Sequence, residues 1–238
     1  TRNESSAASD VYKRQDNAES ALAELDQLLS QNSDEDLVQY AIATHSVYLC
    51  SQETLQQASD LAQRRNGRLH IHVSETRKEV ADCKDANGLY PVEYLNSIDF
   101  IQPGTIFAHA SWVKKNEIRI MAEHDVTAVH CPSSNMKLAC GGTLSFPPYR
   151  DAGVDVRIGT DGAASSGNGL NLLHEARLAS LVQRHDHWDS TLLPAQDIFK
   201  IATKGSQDWV AWNLDDIRMR PLGRSNNRHL ANLIYNGG

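Results

Sequence analysis

An α/β fold built on a parallel sheet is what these 238 residues predict. Three observations carry the prediction. From Asp16 onward, short apolar runs alternate with stretches of helical spacing, the pattern of βαβ units. The runs are largely apolar throughout, as strands are when both faces are covered. Nearly every run also carries a histidine or an aspartate at or near its C-terminal end: His45, His72, His109, His130 and Asp161.

The elements follow in order. Ala18–Ser30 (AESALAELDQLLS) spaces its apolar residues for a helix. Ala41–Cys50 (AIATHSVYLC) reads as a buried strand. Ser51–Arg65 is a helix with Ser51 as N-cap and Gly67 as its stop. Arg68–Val73 (RLHIHV) is a strand, followed by helices near Arg77–Lys84 and Pro91–Asn96. Thr105–His109 (TIFAH), Val126–His130 (VTAVH) and Val154–Ile158 (VDVRI) are further strands, with a helix at Lys114–His124. Asn171–Arg184 and Pro194–Thr203 close the helical set. Asp208–Asn213 (DWVAWN) and His229–Tyr235 (HLANLIY) read as strands of a separate β element. Residues 1–15 are polar and aperiodic. Their SSAASDVYKRQ resembles translated adaptor sequence, so they are set apart as a non-native or disordered tail.

Composition narrows the function. Apolar residues are 40% and charged residues 22%, which excludes collagen-like, disordered and disulfide-scaffold classes for most of the chain. A net charge of −7 argues against nucleic acid or an anionic membrane as the main partner. No apolar run approaches the roughly 18 residues of a membrane helix. The polar N-terminus lacks the apolar core of a signal peptide. Cys50, Cys83, Cys131 and Cys140 have no CxxC spacing. They read as reduced thiols, so a cytoplasmic protein is expected.

The strand-end residues carry the chemistry. In a (β/α) barrel the C-terminal strand ends form the active-site face. Several histidines and a carboxylate converging there make a metal site for hydrolysis. His70 and His72 lie two apart on one strand, so both point to one side and either or both can face a metal. His72 and Glu75 form HxxE at a strand exit, which places an acid/base group above the strand end. The competing reading of Glu75 is a helix cap, with Ser74 or Thr76 opening the next helix. His109 and His130 can each be histidines satisfied within the barrel mouth. Asp161, in IGTDGAASSGNG, can ligate a metal and take a proton. That glycine-rich stretch has neither GxxxxGK[ST] nor GxGxxG spacing, and the chain has no HExxH or GxSxG. The HxE…PCxxC pattern of nucleic-acid deaminases is also missing. The tryptophans read as packing residues.

HIHVSETRKEV, FAHASWV, VHCPSSNMKLACGG and IGTDGAASSGNGLNLLHEARLASL together resemble the second half of a metal-dependent amidohydrolase. They are most similar to the branch that deaminates 5′-methylthioadenosine and S-adenosylhomocysteine. Guanine, 8-oxoguanine and triazine hydrolases resemble the same motifs and stay open as alternatives. So does a non-catalytic barrel fragment that binds a ligand or a partner chain. The resemblance implies a partial (β/α)8 TIM-like barrel over 16–205, about strands four to eight, with 206–238 as the remnant of a C-terminal β domain. It implies one divalent metal, usually zinc, and a small purine-type substrate losing ammonia. His72 and Asp161 are then the metal ligands, and His70 is a neighbour. Glu75 is the proton shuttle, and it also touches substrate. His109 orients the attacking oxygen and stabilises the tetrahedral centre, Asp161 takes a proton, and His45 contacts substrate. No lysine stands in AIATHSVYLC to bridge a second metal.

Against that pattern, no first-strand HxH precedes His45. After ATKG the sequence passes directly to SQDWVAWN, and it stops at LIYNGG. The expectation is a fragment shortened at both ends, in which two ligands hold zinc poorly and the chain alone is inactive. Sheet edges left by missing strands would invite association into a homo-oligomer.

Overall fold

A computed structural model describes residues 18–31, 40–163, 169–205, 210–220 and 225–236. The 1–15 tail lies outside them. Five strands form one sheet: β1 (Ile42–Ser46), β2 (Leu69–Val73), β3 (Ile106–His109), β4 (Thr127–His130) and β5 (Asp155–Ile158). All four pairings are parallel, and the order in space is the order in sequence. The sheet therefore grows in one direction, and every strand ends at the same edge. Each connection contains helix, as parallel crossovers require.

Between the strands lie α2 (Gln52–Arg65), α3 (Arg77–Asn87), α4 (Pro91–Ser97), α5 (Lys115–Glu123), α6 (Pro132–Lys137) and α7 (Phe146–Ala152); α1 (Ala18–Leu29) precedes the sheet. On β2 the alternation is direct. Leu69, Ile71 and Val73 are buried in the main apolar core, while His70 and His72 are half-buried on the opposite face. That core packs the sheet against the helices through Leu55, Leu61, Leu95, Phe107 and Met121.

Local chemistry sets most boundaries. Ser51 caps α2, its hydroxyl accepting from Thr54 N–H at 3.1 Å. The helix closes on Asn66 (φ 50°) rather than Gly67, because asparagine also tolerates the left-handed cap. Gly67 packs close to Leu29 instead. α6 and α7 were outside the sequence expectations. With six and seven residues behind prolines, they are too short to show a period.

The C-terminal strands are the main correction. His229–Tyr235 lies within a helix, α10 (Asn226–Asn236). Its Leu230, Leu233 and Ile234 have helical spacing and only superficially resemble an apolar strand run. Of Asp208–Asn213, residues 208 and 209 lie outside the described residues, and 210–213 form no strand. A 3-10 turn, Ile217–Met219, precedes α10. Ile234 is buried with Ala176 and Ala179 of α8 (Leu172–His187) and Ile198 of α9 (Ala195–Thr203). Thus α10 packs onto the helical layer of the α/β body, and no strand occurs among the described residues beyond β5.

Candidate active site at the strand ends

Three imidazoles stand in a row across the C-terminal ends of β1, β2 and β3. The His45 and His72 ring centroids are 5.0 Å apart, and His72 and His109 stack at 5.4 Å. His70 meets His72 edge-on at 5.7 Å. The His72 position is fixed from behind: its Nδ1–H donates to the His45 carbonyl at 2.7 Å. That bond leaves the Nε2 lone pair as the donor atom available to a metal.

His109 reaches the row through an unusual backbone. It pairs in register with Val73, whose side chain faces the core. Simple alternation would send His109 the same way. Instead His109 (φ 67°) and Ala110 (φ 46°) are both left-handed, and the imidazole stacks on His72. Such a conformation costs roughly 1–2 kcal/mol per non-glycine residue. It is anchored by Ala110 N–H donating to the Val73 carbonyl at 3.0 Å and by Tyr149 Oη donating to the Ala110 carbonyl at 2.6 Å. Ser74 (φ 51°) and Asp161 (φ 58°) are left-handed as well, so three strand exits share this strain.

The Ser74 turn presents Glu75. Its Oε1 is 3.8 Å from His109 Nε2, and the Cys140 thiol donates to the same oxygen at 3.5 Å. Asn135 Nδ2 donates to His109 Nδ1 at 3.3 Å, which leaves the ring proton on Nε2, toward Glu75. Helix capping falls to other residues: Thr76 is the N-cap of α3, its hydroxyl accepting from Glu79 N–H at 3.1 Å. Glu75 is therefore free for the site.

Asp161 follows β5. Ser134 Oγ donates to its Oδ2 at 2.5 Å and Gly162 N–H to its Oδ1 at 2.6 Å. Burial alone would push this carboxyl up. The two hydrogen bonds, with His109 and His72 nearby, outweigh it and hold the carboxyl below its usual range. Burial pushes His109 down despite the nearby Glu75 carboxylate. Burial, with His72 and His109 adding to it, pushes His70 down to about 4. These rings are neutral near pH 7, the form in which imidazole ligates metals.

The structure thus joins His45, His72, His109 and Glu75 through direct contacts. Asp161 enters through Ser134, the neighbour of Asn135. His130 ends β4 but stands apart: it is 1% exposed, and neither ring nitrogen has a hydrogen-bond partner among the described residues. Sequence reasoning missed Ser134, Asn135, Cys140 and Glu79. The first three lie in VHCPSSNMKLACGG, already singled out as a motif, but their roles depend on how α6 turns over the strand ends.

His72 Nε2 and the Asp161 carboxylate are donors that suit zinc, and the His45 carbonyl behind His72 is the outer partner such ligands carry. The donor chemistry fits a divalent metal as far as these two residues go. Among the described residues, no group of three or more His, Cys, Asp or Glu side chains is gathered for one.

Comparisons with known proteins bear on the family and the fold. A family model for the amidohydrolase family matches residues 5–211. The 5′-deoxyadenosine deaminase of Methanothermobacter thermautotrophicus is 44% identical over 169 residues, covering 71% of this chain and 39% of that protein. The 5-methylthioadenosine/S-adenosylhomocysteine deaminase 1 of Archaeoglobus fulgidus is 40% identical over 163 residues, covering 68% and 38%. The crystal structure of an adenosine deaminase from Xanthomonas campestris with bound zinc superposes with a TM-score of 0.84 at 29% identity, covering 92% of this chain and 52% of that one. The chain spans about two fifths of the length of the two curated relatives.

Proposed function

Because the chain belongs to the amidohydrolase family, we propose that it carries the catalytic half of a hydrolytic deaminase acting on adenosine-type nucleosides. In this reading β1 to β5 are strands four to eight of a (β/α)8 barrel. One observation carries it: Glu75 sits beside His109 at the edge where His72 and Asp161 also converge. An acid/base carboxylate next to metal-type donors is what hydrolysis at an amino-bearing ring carbon requires.

His72 and Asp161 would hold one divalent ion, zinc by its donor set, which when bound supplies Lewis acidity. The chain's own groups do the rest. Of the attacking water's two protons, Glu75 carries one to the ring nitrogen beside the reacting carbon; Asp161 accepts the other, which returns through Glu75 to the departing amine, so both carboxylates end as they began. Water and the aminopurine leave as ammonia and the oxo-purine, so protons and atoms balance. His109 Nε2–H steadies the charge developing on the attacking oxygen. His45, at the end of the row, contacts the substrate.

The relatives' printed names support an adenosine modified at its 5′ carbon, such as 5′-deoxyadenosine or 5′-methylthioadenosine. Guanine or triazine substrates are the alternative within the same chemistry. With two donors gathered, the 238-residue chain alone is proposed to hold zinc weakly and to be inactive. Activity belongs to a longer enzyme containing it. No described helix is long and apolar enough to cross a membrane, and the four cysteines are free, which fits a cytoplasmic enzyme with a small-molecule substrate. The test is ammonia release from a panel of aminopurines, aminopurine nucleosides and triazines by the zinc-loaded full-length enzyme. Turnover of the 5′-modified adenosines is expected. No ammonia from any aminopurine would overturn the proposal.

A further inference from the structure

We infer that Glu79 is a positioning residue for Glu75: its buried carboxylate clamps the two backbone amides that aim the proton shuttle. This rests on the deaminase reading for the role of Glu75. The clamp itself rests on geometry alone.

Glu79 Oε1 accepts from Ser74 N–H at 2.6 Å and Oε2 from Glu75 N–H at 2.8 Å. An ordinary capping glutamate at this helix position reaches back to the N-cap amide, here that of Thr76. Glu79 interacts with that amide and also extends beyond it, to the two residues before the cap. Both bonds are short, and with the carboxyl ionised both are charge-assisted, the strong class of hydrogen bond. Their target is the left-handed Ser74, where the chain leaves β2 and doubles back. The other side of that residue is held by Trp112 N–H, which donates to the Ser74 carbonyl at 2.9 Å. Ser74 is thus pinned at both its amide and its carbonyl, and Glu75 follows from a fixed stem. Its carboxylate then meets His109 and Cys140.

Stability alone gives this arrangement no reason to exist. Glu79 is 4% exposed, and burying a carboxylate is costly even when it is hydrogen-bonded. Burial outweighs the hydrogen bonds from the Ser74, Glu75 and Thr76 amides and pushes its carboxyl up to about 7. Glutamine, neutral and of the same shape, escapes the burial of the charge but loses the second acceptor: it offers one oxygen and one NH2 group to two N–H donors.

The test therefore separates folding from function. In Glu79→Gln of the full-length zinc-loaded enzyme, assayed with 5′-deoxyadenosine, kcat is expected to fall about tenfold or more, with KM and zinc content unchanged and thermal stability little changed, because relief of the buried charge offsets the lost acceptor. In the 15N-labelled 238-residue chain, the same substitution is expected to speed hydrogen exchange at Ser74 or Glu75 about tenfold or more. Loss of stability and activity together would mark a merely structural glutamate and overturn the inference. So would unchanged kcat, or unchanged exchange at both amides. A wild-type enzyme that releases no ammonia from any aminopurine would instead sink the deaminase reading and the catalytic role given to Glu79. The exchange experiment would still decide for or against the clamp.

Discussion

At the exit of β2, a buried carboxylate, Glu79, accepts two backbone N–H groups and holds a strained turn. At the exit of β4, two strands along the same edge, a buried imidazole, His130, has no hydrogen-bond partner at either ring nitrogen among the described residues. Both sites bury a titratable group, and burial drives both toward neutrality, Glu79 up to about 7 and His130 down to about 3. They differ in what the group holds. Glu79 organises the residue beside it, and that residue faces the candidate site. Among the described residues, the His130 ring organises nothing through hydrogen bonds. Burial alone does not mark a working residue; the informative feature is which backbone or side chain it fixes.

The largest expected effect lies at the residue the β2 exit presents. Glu75→Gln removes the carboxylate proposed as proton shuttle while keeping its shape. In the full-length enzyme, kcat should fall by roughly a hundredfold to ten-thousandfold. Zinc content should be unchanged, because Glu75 is not a ligand in this reading. A variant with near wild-type turnover would remove the functional distinction between the two exits.

The next effect concerns the row of rings. His72→Ala in the full-length enzyme should cut zinc affinity at least about tenfold to a hundredfold, while His70→Ala should leave it near wild type. Zinc per protein after dialysis against a mild chelator reads this directly. Equal loss in both variants would mean that the hydrogen bond from His72 to the His45 carbonyl does not select the ligand.

Much of this edge was legible in sequence. The five strands, their parallel order and the polar residues at their ends follow from apolar runs and helical spacing, which are local. Ser51 also caps its helix as its residue type implies. What escaped was non-local or too short. The left-handed pair His109–Ala110 has no glycine to announce it, yet it turns His109 into the row. The Ser134–Asp161 and Asn135–His109 contacts join residues 27 and 26 apart. Glu79 was hidden behind Glu75, because HxxE draws the eye to the first glutamate. The C-terminal helix α10 escaped for a different reason: HLANLIY is short and apolar enough to resemble a strand run despite its helical spacing, and it packs against α8 and α9 as a helix.

The two buried groups also predict opposite pH dependence. Glu79 has a folded pKa raised above its ordinary value of 4.5, so its burial costs nothing below that pH. The cost grows as pH rises through about 7, on the order of 3 kcal/mol in full. Chemical denaturation of wild type and Glu79→Gln at pH 5 and pH 8 should show the variant gaining relative stability at the higher pH. A constant difference would mean that the two amide bonds balance the burial of the charge.

The smallest effect is at His130, with the reverse sign. Its folded pKa lies below the ordinary 6.5, so the unfolded chain takes up the proton first. Its contribution is complete above pH 6.5 and is lost progressively as pH falls toward 3. Between pH 6.5 and 5 that loss is about 2 kcal/mol. His130→Leu keeps a buried apolar side chain of similar reach and removes the proton. Relative to wild type, the variant should therefore gain about that amount on going from pH 7 to pH 5, and at pH 7 it should be no less stable, since no hydrogen bond is given up. If wild type and variant lose stability in parallel over this range, His130 has found a partner in solution, and the contrast between the two strand exits fails at β4.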